Sequence, residues 1–241
     1  MPRYILLLSS SISLLLSAII SVIPVWFYNQ GQVSALYPTL FTPATFTFSI
    51  WSVIYLSWIL LWIFIAIKNT KLRVENIYLL AAAQVLSSFW LIPSQFLFIG
   101  TSFIVMMWVL YMLLLCFFLS RDENTYFKVT VELFLAWIIV ASIANLHLVL
   151  VSYNIYIFPE TLTLISLILA WYIFYKSITR YYTTVPSLVL IWSWFWIIMW
   201  QKNTDIQITA SVVTLWIIAT LILTHKQSLI QFIQKNRTPK K

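Results

Sequence analysis

The chain has 241 residues, of which 62% are apolar and only 8% charged, with a formal net charge of +8. Soluble domains carry about a quarter of their residues as charges, so this chain cannot cover a water-facing surface and its main solvent is lipid. The positives fall at the ends of apolar runs, which excludes a nucleic-acid footprint, the single Cys116 excludes an intramolecular disulfide, and two glycines exclude P-loop and Rossmann phosphate loops.

A bilayer core about 30 Å thick takes about 20 residues of apolar helix. Eight runs approach that length, at 4–27, 45–67, 77–99, 102–120, 129–152, 159–176, 183–201 and 207–224. They are continuously apolar, without the alternation of barrel strands, so an all-α integral membrane protein of about eight transmembrane helices is expected. The first run follows Arg3 and reaches Trp26 and Phe27; a cleaved signal peptide is its alternative and would leave seven helices. The third and fourth runs are parted by Gly100 and Thr101. The tail from His225 to Lys241 is basic with Leu229, Ile230, Phe232 and Ile233 interspersed. It reads as a solvated tail, with a short amphipathic helix on anionic headgroups as the alternative.

Charges between the runs alternate in number. Arg3, Lys68, Lys71, Arg73, Arg121, Lys128, Lys176, Arg180, Lys226, Lys235, Arg237, Lys240 and Lys241 fall on one side, and only Lys202 on the other. The positive-inside rule then puts both termini in the cytoplasm, and a bacterial inner membrane suits the pattern.

Few residues carry ionisable chemistry. Glu75, Asp122, Glu123 and Asp205 fall in connections where water solvates them. Glu160 follows Pro159 at a helix start, where a carboxylate meets the positive end of the dipole. Glu132 lies within two turns of a span's start and is either interfacial or functional. His147, within the fifth span, has no second His, Cys pair or nearby acid at ligand spacing, and reads as a hydrogen-bonding residue between helices. No lysine within the seventh span offers a retinal Schiff base, and no catalytic triad is supported. Aromatics are more informative: Trp51, Tyr55, Trp58 and Trp62 recur at helical spacing on the second span, and Trp192, Trp196 and Trp200 on the seventh. Such stripes are packing, or the wall of a pocket for a flat ligand.

The stretch Ala136-Trp137 with Ala141, Ala144 and Asn145 resembles the fifth-helix signature A-W-x-x-x-A-x-x-L-N of the TspO/MBR family, the tryptophan-rich sensory or translocator proteins, with Ala144 in place of Leu. Phe41-Thr42-Pro43, Phe48, Trp51 and Tyr55 resemble that family's W-T-P, F, W, Y series, and Gln84, Ser88 and a displaced Trp90 keep part of its third-helix pattern. The resemblance covers residues 1–152 and implies a TspO-like five-helix core, followed by three additional transmembrane helices at 153–224 and the basic cytoplasmic tail at 225–241.

By that resemblance the pocket would use Trp51, Tyr55, Trp137, Ala141 and Asn145, with Tyr37 and Phe41 as a lid. The fifth-helix face of Trp137, Ala141, Ala144 and Leu148 is suited to close approach, since small residues admit a helix or a planar ligand. Leu169, Tyr172 and Lys176 fit the loose cholesterol pattern. The family resemblance implies a hydrophobic planar small molecule (a porphyrin, haem or a sterol-like compound) bound with a sensory, regulatory or transport role and without a resident cofactor. The lipid bilayer and that ligand are the expected partners, with a homodimer as a further expectation. The alternative is a secondary transporter or permease with Glu132 and His147 as proton-linked groups, although no motif repeats between halves. A membrane-embedded enzyme is a third reading, for which no acid/base or metal constellation is present.

Overall fold

The computed structural model describes the backbone of residues 2–22, 28–156, 158–181 and 183–237, and side chains there except at 2, 3, 21, 22, 181 and 227–237. Its elements are helices throughout: α1 Pro2–Val22, α2 Gln30–Leu36, α3 Ile50–Lys68, α4 Val74–Phe89, α5 Leu91–Gln95, α6 Ile99–Leu119, α7 Thr125–Ser152, α8 Pro159–Tyr181, α9 Val185–Trp200 and α10 Thr204–Arg237. A 3₁₀ turn at Thr45–Ser49 leads straight into α3. Six helices are long and apolar enough to cross a membrane, and two shorter apolar ones, Tyr4–Ile20 and Val185–Trp200, join them. Helices are the form that satisfies backbone N–H and C=O groups within each segment, as lipid requires.

Side chains set the helix ends. The Asn124 side chain accepts the Phe127 N–H at 3.0 Å to start α7, and the Asn203 side chain accepts that of Ile206 at 3.2 Å to start α10. Pro186 sits in the first turn of α9, where a missing N–H costs nothing. Asn69, at φ 48°, ends α3 in the left-handed conformation that asparagine tolerates.

Several boundaries differ from the sequence expectation, and two of these differences bear on packing and on the tail. The break between the third and fourth spans lies at Phe96–Phe98, with Leu97 at φ 61°, whereas Gly100 and Thr101 are already inside α6. Gly100 serves close packing instead of a turn, because a Cβ there would stand 3.0 Å from the Tyr153 hydroxyl. The eighth span continues unbroken to Arg237, so the backbone of the basic tail is helical up to that residue. The tail's Leu229, Ile230, Phe232 and Ile233 side chains, and Trp26 and Phe27 of the first run, lie outside the described residues.

Packing closes five helices into a ring: α1 contacts α3 and α4, α4 contacts α6, and α6 and α3 both contact α7. The remaining helices attach through α9, which lies on α7, while α10 packs on α9 and α8. The central α7 buries large side chains such as Phe127, Phe134 and Trp137, whereas α10 leaves Leu215, Trp216, Ile222 and Leu223 facing outward. Glu123 is buried instead of solvated. Its carboxylate accepts the Arg73 N–H at 2.9 Å and the Asn76 amide at 2.8 Å, which places a negative charge on the N-terminus of α4.

Candidate functional site

Two adjacent spaces lie at the end of the ring away from most of the basic residues. The larger, of about 530 Å³, lies between the C-terminal half of α1, the start of α2, the N-terminal half of α3 and the α4–α5 junction. The smaller, of about 40 Å³, runs from there along α7. Gln30, Phe48, Trp51 and Trp90 border both. No charged residue lines either space among the described residues.

The aromatic stripe of α3 and the small-residue face of α7 meet here. Trp51 stands edge-on to Trp137, with ring centroids 6.3 Å apart at 84°, and Phe48 approaches Trp137 at 6.1 Å and 85°. Beneath them Phe134 of α7 packs on Trp58 at 5.1 Å and on Trp51 at 6.0 Å. These edge-to-face pairs fix ring orientation as well as burying area. Trp137, Ala141, Ala144, Asn145 and Leu148 all border the small crevice, as their common face on α7 requires. The Asn145 amide donates to the Ala141 carbonyl at 2.8 Å, which fixes its orientation against its own helix.

Polar groups are few and specific. Tyr55, on the wall of the larger cavity, donates its hydroxyl to Ser17 at 3.0 Å. Ser94 donates to the Gln30 side-chain oxygen at 3.1 Å, and Gln95 donates to the Ile20 carbonyl at 3.2 Å. Two donors, Gln30 Nε2 and Trp137 Nε1, are buried without a hydrogen-bond partner among the described residues.

A family model for the TSPO-like proteins matches residues 3–224, which reaches into all eight apolar helices and stops within α10. The chain belongs to the TSPO-like family. No curated protein and no solved structure matches it. Of the residues expected to form the site in this TSPO-like chain, Trp51, Tyr55, Trp137, Ala141 and Asn145 line the two spaces. Tyr37 and Phe41 do not. Tyr37 ends α2, and Phe41 is fully buried, stacked on His147 at 5.2 Å with the rings 17° apart. From the segment before α3, it is Asn29, Gln30, Gly31 and Thr45 that border the larger cavity. Gln30, Phe48, Trp90 and Gln95 border the larger cavity as well; Phe48 stood in the family series and Trp90 as a displaced family position, whereas Gln30 and Gln95 come from segments whose approach is tertiary.

The remaining candidates lie elsewhere. His147 Nε2 is 3.0 Å from the Ser166 hydroxyl, a bridge from α7 to α8 of the kind expected for a lone buried histidine. Glu160 accepts the Asn203 amide at 3.0 Å in the exposed first turn of α8. Glu132 borders a different space, between α6, α7 and α8. The structure therefore does not bring together the two groups that the permease alternative would link. Trp192 and Trp196 face the 3₁₀ turn: Trp192 donates its indole N–H to the Thr47 carbonyl at 3.2 Å, and Trp196 meets Phe46 at 4.9 Å.

Proposed function

We propose that this TSPO-like membrane protein binds a planar hydrophobic molecule, a porphyrin, haem or a sterol-like compound, in the aromatic cavity, with a sensory, regulatory or transport role. The convergence of Trp51 and Trp137 from α3 and α7 on one uncharged space carries this reading. The larger cavity, at about 530 Å³, lies within the range of small-molecule sites, about 300–1,000 Å³, and its mostly apolar walls suit stacking and shape recognition. The unpartnered Gln30 and Trp137 donors favour a ligand with an acceptor oxygen at its edge, because a buried donor gains most when a ligand satisfies it. Residues 1–152 form the ligand-binding core in this proposal, residues 153–224 support it, and 225–241 is the cytoplasmic tail. Both termini face the cytoplasm of a bacterial inner membrane, following the distribution of Lys and Arg.

Tryptophan fluorescence titrated with protoporphyrin IX tests the reading. Saturable quenching is expected for the wild type, and Trp137→Ala is expected to weaken it about tenfold, the scale of one lost aromatic contact plus its hydrogen bond. Quenching that never saturates, or that ignores the substitution, would sink the proposal.

A further inference from the structure

At the opposite, basic end of the bundle a second cavity of about 280 Å³ lies over α7 between α6 and α8, and it shares no lining residue with the aromatic site. Its origin is a packing gap. α6 runs closely along α7, whereas α8 meets α7 at few points and leans on α10 and α9. The gap faces the bilayer, since Phe118 on α6 and Tyr172 on α8, two of its lining residues, are each 49% exposed.

Two opposite charges line this otherwise mostly apolar space, Glu132 on α7 and Lys176 on α8. Glu132 is only 8% exposed, and among the described residues its carboxyl has neither a hydrogen bond nor an ion pair. Lys128, one turn earlier on α7, acts on it electrostatically. The Lys176 ammonium is held 5.5 Å from the centre of the Tyr172 ring, a cation–π contact that keeps it by the cavity. An acid at membrane depth is costly unless something compensates its charge, and no group among the described residues does so within hydrogen-bonding reach.

We propose that this cavity binds the headgroup of a zwitterionic aminophospholipid from the surrounding bilayer, with the primary ammonium on Glu132, the phosphate at Lys176 and the acyl chains in the opening between α6 and α8. Charge complementarity selects this occupant. A purely anionic headgroup satisfies Lys176 but gives Glu132 no hydrogen-bonded cation, which the more distant charge of Lys128 does not supply, and a choline headgroup has no N–H to donate to a carboxylate. The cavity is too small for a whole lipid and open on its bilayer side, so it takes the headgroup and leaves the tails in the membrane. This site is independent of the porphyrin reading.

Native mass spectrometry of the full chain in detergent, incubated in turn with phosphatidylethanolamine, phosphatidylglycerol and phosphatidylcholine, tests it. The wild type is expected to retain phosphatidylethanolamine about tenfold over the other two, and Glu132→Gln to abolish that preference, a change the size of one charge-assisted hydrogen bond. Lys176→Met is expected to lower retention of phosphatidylethanolamine and phosphatidylglycerol alike. Size-exclusion elution and the tryptophan emission maximum establish that each variant is folded. Equal retention of the three lipids by the wild type overturns the proposal without recourse to any variant, and so does an unchanged preference in folded Glu132→Gln.

Discussion

Asn29 shows how one side chain shapes the site. Its oxygen accepts the Gln32 N–H at 2.9 Å, and the Gln32 side chain returns the bond to the Asn29 N–H at 2.8 Å, a reciprocal cap that starts α2 beside the larger cavity. The Asn-x-x-Gln spacing was in the sequence, yet α2 has only seven residues and no apolar stripe, so periodicity passes over it. Asn29→Ala is expected to cost about 1 kcal/mol of local stability. The measurement is amide hydrogen exchange over residues 30–36, which should quicken while exchange in α7 stays as in the wild type. Phe41 teaches the opposite lesson. Its aromatic ring matched a family position, but a ring's partner is decided by the fold, and here the partner is His147.

Among the elements, the seam between α1 and α4 is held by a run of side-chain hydrogen bonds. Ser9 donates to the Gln84 side-chain oxygen at 2.6 Å and Ser10 approaches the same oxygen at 3.3 Å. One turn further on, Ser13 and Ser88 are 2.5 Å apart, Ser17 meets Ser88 at 3.1 Å, and the Tyr55 hydroxyl joins Ser17. In lipid there is no hydrophobic force to hold apolar helices together, so small side chains and interhelical hydrogen bonds do that work. Gln84→Leu is therefore expected to lower the stability of the folded state by about 1–2 kcal/mol, because it removes the interhelical acceptor of Ser9 and Ser10 and leaves Ser9 only the Leu6 carbonyl of its own helix. Unfolding titrated with a denaturing detergent measures it; an unchanged midpoint would show the seam to be incidental. The serines at 9, 13 and 17 share a helical face that was legible in the sequence, but their acceptors on α4 were not, since nothing local couples residues more than 70 positions apart.

For the whole molecule, the three C-terminal helices matter through α9. Trp192 binds the Thr47 carbonyl and Gln201 binds the Thr42 carbonyl at 2.8 Å, so α9 clamps the segment that carries Thr42, Pro43 and Phe48 to the crevice. Orientation is a property of the entire chain and follows from charge placement. In a Cys116→Ser background, a membrane-impermeant maleimide applied to intact cells is expected to label Lys202→Cys and to label Lys71→Cys only after lysis. The reverse pattern would overturn the proposed topology.

The sequence alone determined the lipid environment, the helical class and the face of α7 that carries Trp137, Ala141 and Asn145, because hydropathy, span length and helical periodicity are local properties of the chain. It also held the family, through short motifs on α3 and α7. Tertiary structure alone decided that those two faces share one cavity, that Glu123 is buried on the end of α4, that Gly100 is a packing position, and that Glu132 and Lys176 border a second space. Each of these depends on which helices become neighbours. In a chain whose surfaces are nearly all apolar, hydrophobicity cannot choose between neighbours, and the choice falls to shape and to a few hydrogen bonds between distant residues.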